Sequence, residues 1–361
     1  MYKQINELSK LGHQFIKTRN YAEACQVFEK ALLLAPRELQ LLSGMGDALR
    51  RQKDFSAAAG YFRQVLEIDQ HNAFALRALG DTLRGLQQHQ DAIKFWKKYL
   101  NLKGDRDVFV LTRIADCYKS LDNYDESQNY YQKTLDLEPH DNYALIGLAD
   151  LYHKQGYELP AIEYYEKTLS DDVTPINILT ILGSLHYRQG NHEKARTYYE
   201  KALVLDPHNS YALYGLGNYF RWLSDYRRAV ELWEKILEYN SGTVNLMARL
   251  GDAYRNLGQY EAAEGAYRSN LDNGYDMFSL VGMIKLRSLQ CRLKDACDSY
   301  DELLHNEGED RKVFADVEAL LIRQNEPGLA LQFLHHALQC QKEHTAISHI
   351  IKDHIRRREE A

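Results

Sequence analysis

Proline is scarce in this chain, with six in 361 residues, and none falls inside a stretch of helical periodicity. Pro36, Pro139, Pro175 and Pro207 stand between periodic stretches. Pro160 and Pro327 fall in first turns, where the missing N–H costs little. The five cysteines (Cys25, Cys117, Cys291, Cys297 and Cys340) are odd in number and form no CxxC pair. That argues against a disulfide framework and for free thiols packed as small apolar groups in a reducing cytoplasm. No apolar run approaches the roughly 20 residues that span a bilayer. The amino-terminal MYKQINELSKLGHQF enters a helical pattern directly, without the apolar core and cleavage site of a signal peptide. Neither sign of charge dominates: 45 Lys and Arg against 51 Asp and Glu give no reason to expect nucleic acid or anionic lipid as a partner. G-x-S-x-G, HExxH, Walker-type and dinucleotide loops are missing, and no carboxylates gather as an acid–base pair. The chain therefore reads as non-catalytic and without a cofactor.

What is present is a repeat. Small residues line up at Gly12, Gly46, Gly80, Ala115, Ala149, Gly183, Gly217 and Gly251, followed in register by Ile284 and Glu318; the steps are 34 residues apart from one of 35 and one of 33. Twelve residues after each stands Ala24, Ala58, Ala92, Ser127, Ala161, Ala195, Ala229, Ala263, Ala296 and Ala330. Four residues later come Phe28, Phe62, Trp96, Tyr131, Tyr165, Tyr199, Trp233, Tyr267, Tyr300 and Leu334. Leu179 to Pro207 shows the unit most clearly, as two helices of about three turns joined at Gly190. Gly156 and Gly258 occupy the same turn position, the natural place for a left-handed cap.

The pattern resembles the tetratricopeptide repeat, the 34-residue helix–turn–helix unit with small, alanine and aromatic signature positions. The likeness covers about Ile5 to Gln341. It implies an all-α fold, a right-handed superhelical solenoid of about ten tetratricopeptide helix–turn–helix repeats with a C-terminal capping helix. Packing physics agrees: small residues let paired helices approach, and the aromatic fills the space their separation leaves. A helix of about 12 residues is marginal alone, so stacked neighbours must supply the core. We read one array over 1–344, with repeats at 5–38, 39–72, 73–106, 108–141, 142–175, 176–209, 210–243, 244–276, 277–310 and 311–344. Over 345–361 one more helix is expected, with Ile347, Ile350, Ile351 and Ile355 on its apolar side and Arg356, Arg357 and Arg358 at its end. Ile284 and Glu318 at the small position mark degenerate end repeats that need no closely packed neighbour.

The resemblance also implies that first helices line a concave groove. The residue after the small position would face it, and here five repeats carry an acid: Asp47, Asp81, Asp116, Asp150 and Asp252, with Asn218 at the same position. Three residues on stand Arg50, Arg84, Lys119, Arg221 and Arg255, so four of the acids have a cation at i+3. The bland reading is a set of helix ion pairs; the functional one is a ladder of donors and acceptors for an extended peptide. Phe74, Phe109, Tyr143, Tyr211 and Phe278 share one register position near the helix starts, with Tyr214 one turn on. Small residues (Gly44, Ala78, Gly147, Gly215) stand where they would face those rings, which suggests pockets for apolar side chains. Two family devices are expected to be missing. The carboxylate clamp needs a lysine where Tyr214 stands, and the asparagine-ladder positions hold Gly44, Ala78, Arg113, Gly147, Ile181 and Gly215.

The function expected is thus a scaffold that binds a peptide or helical segment of a protein partner. Self-association through the end repeats is one alternative. The alternative of another class is a metal site or enzyme centred on His336, Cys340 and His344, which share a helix face. Against it, the outer two would lie about 12 Å apart on a straight helix.

Overall fold

The computed structural model describes residues 2–169, 175–239, 244–308, 310, 312–341 and 345–360. Among these residues there are 21 helices and no strand. The chain divides into two compact units, Met1–Thr174 and Pro175–Ala361.

In the first unit five helix pairs follow one another: α1 (Tyr2–Lys17) with α2 (Tyr21–Leu34), α3 (Leu39–Arg51) with α4 (Phe55–Ile68), α5 (Ala73–Gly85) with α6 (His89–Lys103), α7 (Val108–Ser120) with α8 (Tyr124–Leu137), and α9 (Asn142–Lys154) with α10 (Glu158–Lys167). The second unit continues with α11 (Ile176–Arg188) and α12 (His192–Leu205), α13 (Ser210–Trp222) and α14 (Tyr226–Tyr239), α15 (Val244–Asn256) and α16 (Tyr260–Leu271), α17 (Met277–Leu289) and α18 (Leu293–Glu307), and α19 (Val313–Arg323) and α20 (Pro327–Cys340). A last helix, α21 (Ala346–Glu359), starts on Thr345, whose side chain caps it. This is an all-α repeat solenoid. Within each unit the helices of a pair pack together, and each second helix up to α16 packs on the next first helix.

The signature positions make the core. The alanine position and the aromatic position are buried in all ten pairs. Glycine at the small position is dictated by the ring beside it: a methyl group on Gly46 would sit 2.8 Å from the Phe62 ring. The second row of small residues does the same work, since a methyl group on Gly44 would sit 2.5 Å from the ring of Phe28, and Gly147 and Gly215 abut Tyr131 and Tyr199 in the same way. This corrects the expectation of pockets there. The room left by Gly44, Gly147 and Gly215 is filled from inside by the buried ring of the preceding second helix.

Each turn between paired helices closes identically. The residue at that point has a positive φ in all ten, from 54° at Cys291 to 82° at Gly156. The next N–H reaches back five residues, as from Asn191 to the His186 carbonyl at 2.9 Å, so the helix ends in a Schellman motif. Only three of the ten are glycine; Arg19, Lys53, Gln87, Asp122, Ser224, Cys291 and Asn325 hold the left-handed conformation despite their side chains. Ser224→Gly is therefore expected to raise stability by about 0.5–1 kcal/mol and Gly190→Ala to lower it by about 1 kcal/mol. Both are read as shifts of the urea midpoint at unchanged slope.

The C-terminal end departs from expectation in two ways. Glu318 is buried, not an open end: it accepts from His354 and Arg358 of α21, and that pairing docks the last helix on α19. Ile347, Ile351 and Ile355 are buried beneath α21, whereas Ile350 is exposed. The last join also changes its packing. Here α19 lies on α17 and α20 on α18, first helix on first and second on second. Asp310 replaces the missing cap of α19, accepting from the N–H groups of Lys312 at 2.9 Å, Val313 at 2.9 Å and Phe314 at 3.1 Å.

Candidate functional site: the first-helix face

Several first helices start on a short acidic or amide cap: Asn72, Asp107, Asp141, Asn209 and Asp276 each accept the N–H three residues on. The aromatic of interest is the second residue of each of these helices, where little covers it. Phe74 is 53% exposed, Phe109 64%, Tyr143 77%, Tyr211 80% and Phe278 69%. Phe74 rests edge-on against the buried Phe62, with ring centres 6.2 Å apart. Seven residues on, two helical turns along the same face, stand Asp81, Asp116, Asp150, Asn218 and Lys285. Each of these helices thus carries an exposed ring at its start and a polar or charged group further along one side.

These polar groups are held by the protein itself. Asp47 accepts from Arg50 at 2.6 Å and from Arg51 at 2.9 Å. Asp252 pairs with Arg255 at 3.1 Å. The i+3 pairing expected for Asp81 does not form: Asp81 takes Arg113 of the next repeat, and Arg84 stays exposed. Lys119 spans two repeats, 3.9 Å from Asp116 and 3.8 Å from Asp150. Asn218 accepts from Arg249 at 3.2 Å, and the Arg249 guanidinium lies 5.3 Å from the Tyr214 ring centre, so Tyr214 is partly covered where Tyr211 is not. Arg221 is exposed.

A further partner was not foreseen. The buried tyrosine of the paired second helix donates its hydroxyl to the acid: Tyr131 to Asp116 at 2.5 Å, Tyr165 to Asp150 at 2.6 Å and Tyr267 to Asp252 at 2.8 Å. Burial, then the neighbouring carboxylate, pushes all three phenols well above the ordinary tyrosine range. The acids therefore join the first-helix face to the core. The signal available in sequence was a tyrosine 15 residues after the acid, readable only once both positions are known to converge.

In the first unit four of the expected residues meet in one place. Arg50, Asp81, Arg84 and Asp116 line a cleft of about 620 Å³, joined by Arg51 and Arg113. Cations outnumber carboxylates in its walls, so the cleft suits an acidic group. Cys117 beneath it is held as the neutral thiol, its pKa pushed up to about 12 by burial. Near the carboxyl end of the chain, His336 and Cys340 lie one turn apart on α20 as expected, and His344 lies outside the described residues. Their third companion is instead Asp301 of α18.

Sequence patterns described as "Tetratricopeptide repeat" match residues 9–73, 110–141, 177–209 and 214–274. The chain belongs to the tetratricopeptide repeat family. Among solved structures, a tetratricopeptide repeat protein from Parabacteroides merdae superposes with a TM-score of 0.50 at 16% identity, over 70% of this chain and 99% of that one. PilW, a type IV pilus biogenesis factor, superposes with a TM-score of 0.50 at 19% identity, over 58% of this chain and 96% of that one. These likenesses concern the fold. The 131 kDa subunit of transcription factor tau from Saccharomyces cerevisiae is 28% identical over 68 residues, which is 19% of this chain and 7% of that protein. Tetratricopeptide arrays generally serve as protein–protein interaction scaffolds and are typically non-catalytic. Among the described residues, no helix is long and apolar enough to cross a membrane.

Proposed function

We propose that this tetratricopeptide protein is a scaffold whose first-helix face binds an extended segment of a protein partner. In the first unit that segment carries acidic side chains. The carrying observation is the repeated arrangement on α5, α7, α9, α13 and α17, an uncovered ring at the helix start with a fixed polar group two turns along the same face. Rings exposed in series are what a soluble chain avoids unless something covers them. They offer rigid apolar area at small entropic cost, and the pre-formed ion pairs need no reordering when a partner arrives. Phe74, Phe109, Tyr143, Tyr211 and Phe278 supply the apolar contacts. Arg50 and Arg84, beside Asp81 and Asp116, supply the polar contacts of the first unit; Lys119 and Asp150, then Tyr214, Asn218, Arg221, Asp252 and Arg255, extend the polar rows.

The test is site-specific photocrosslinking in native lysate. A photoreactive phenylalanine replaces Phe109 or Tyr211 in one set, and Leu33 or Val204, exposed on second helices of the same units, in the other. Adducts should concentrate on positions 109 and 211. Arg84→Glu should reduce the yield from position 109 and leave position 211 unchanged. Equal yields from positions 33 and 204 would move the partner to the second-helix surface and sink the reading.

A further inference from the structure

Independently of that surface, we propose that Asp301, His336 and Cys340 form a binding site for one zinc-class divalent transition metal. The carboxylate comes from α18; the imidazole and the thiol come from α20 of the following repeat. The three donor atoms lie close together: His336 Nε2 is 2.8 Å from Asp301 Oδ1, Cys340 Sγ is 3.2 Å from that oxygen, and Cys340 Sγ is 3.6 Å from His336 Nε2. A tetrahedral ion with bonds of about 2.0–2.3 Å sets its ligand atoms about 3.3–3.6 Å apart. The two sulfur edges fit nearly as they stand, and the nitrogen–oxygen edge needs to open by about half an ångström.

Three further observations separate this group from incidental surface charge. The chain carries 51 Asp and Glu, 14 His and five Cys, yet among the described residues no second trio of such donors gathers within 4.8 Å. The donor types are mixed: oxygen, nitrogen and sulfur together select a borderline ion of the zinc kind over magnesium or calcium, which take oxygen alone. The site also arises where the repeat departs from its own rule, because second helices pack directly on one another at α18 and α20. That packing is what allows donors from two repeats to converge. Cys297, half-buried and one turn before Asp301 on α18, stands on the same helix side and is a candidate for a fourth ligand; otherwise water takes that position.

Binding is a proton exchange. The Cys340 thiol loses its proton to solvent and bonds through Sγ, while His336 bonds through the Nε2 lone pair as the neutral imidazole. Asp301 bonds as the carboxylate, and the two negative ligands neutralise the dication. The bound ion would cross-link the last helix pair to the one before it. It binds the folded chain only, so it raises thermal stability.

The experiment uses the full chain purified without a histidine tag, stripped with chelator and kept reduced. It is titrated with zinc chloride against a zinc-indicator dye, and with cobalt chloride while thiolate-to-cobalt charge-transfer absorption is followed. The expected result is one zinc per chain, a cobalt thiolate band, and a higher melting temperature with zinc. All three should be lost in Cys340→Ser and Asp301→Asn and kept in Cys291→Ser, which alters an exposed thiol outside the trio. Circular dichroism of the stripped variants separates loss of the site from loss of the fold. Sub-stoichiometric zinc in the wild type, no thiolate band, or a band that survives in Cys340→Ser would each overturn the assignment.

Discussion

Trp233→Ala should cost about 3–5 kcal/mol, while Tyr211→Ala, 22 residues earlier in the same repeat, should cost less than about 0.5 kcal/mol. Both are aromatic, but only Trp233 is a signature position of the repeat; it fills the core, whereas Tyr211 at the helix start covers nothing. Trp233 is fully buried among Leu213, Val230, Ile236, Leu246 and Leu250. Its indole occupies the space Gly217 leaves open, and its N–H donates to the Tyr214 carbonyl at 3.4 Å. Alanine would remove the ring from between α13, α14 and α15 and leave a cavity that glycine cannot fill. Repeat arrays are held by nearest-neighbour contacts, so the damage should stay local. Hydrogen exchange should accelerate across 210–256 and remain unchanged in the first unit. Uniform acceleration along the chain, or an unaltered Trp233→Ala protein, would contradict the packing account.

That contrast also shows what the sequence could reveal. Positions that repeat because packing repeats were legible: alanine beside aromatic, and small residue beside ring, recur at near-constant steps since each pair solves one steric problem. Positions that solve the problem by local strain were not. Three glycines announced the turn, but Lys53, Gln87 and Ser224 take the same left-handed conformation with no residue-level sign. Contacts between repeats were legible only as neighbours within one helix, so Asp81 was read toward Arg84 when its partner is Arg113, 32 residues away. The glycines at 44, 147 and 215 were assigned to the wrong side because periodicity gives a face but not which ring fills it. At the C-terminal end the repeat rule fails, and there the sequence was least informative. Glu318 in a small-residue position is explained only by α21, and Asp301 joins His336 and Cys340 only because second helices meet.

High pH should unfold this protein through its tyrosines. Tyr131 and Tyr165 in the first unit, and Tyr267 and Tyr300 in the second, are buried, and each donates its hydroxyl to an aspartate, Tyr300 to Asp310 at 3.0 Å. Burial is the larger cause and the adjacent carboxylate the second, and together they hold all four folded-state pKa values well above the ordinary one. The sign follows from linkage: the folded state keeps protons that the unfolded state releases, so stability falls as pH rises. The contribution is complete below about pH 10, where an exposed tyrosine titrates, and is lost progressively above it. Near pH 11 each buried phenol should remove about 1.4 kcal/mol, hence about 3 kcal/mol from each unit. The chain has 26 tyrosines, so exposed ones should ionise first with helicity intact. The last tyrosinate absorbance should then rise together with the loss of helical circular dichroism. Tyr267→Phe should lessen the pH slope of stability by about one proton near pH 11. A slope unchanged in that variant, or complete tyrosine ionisation in a fully helical protein, would mean that these hydroxyls are not the protons the fold retains.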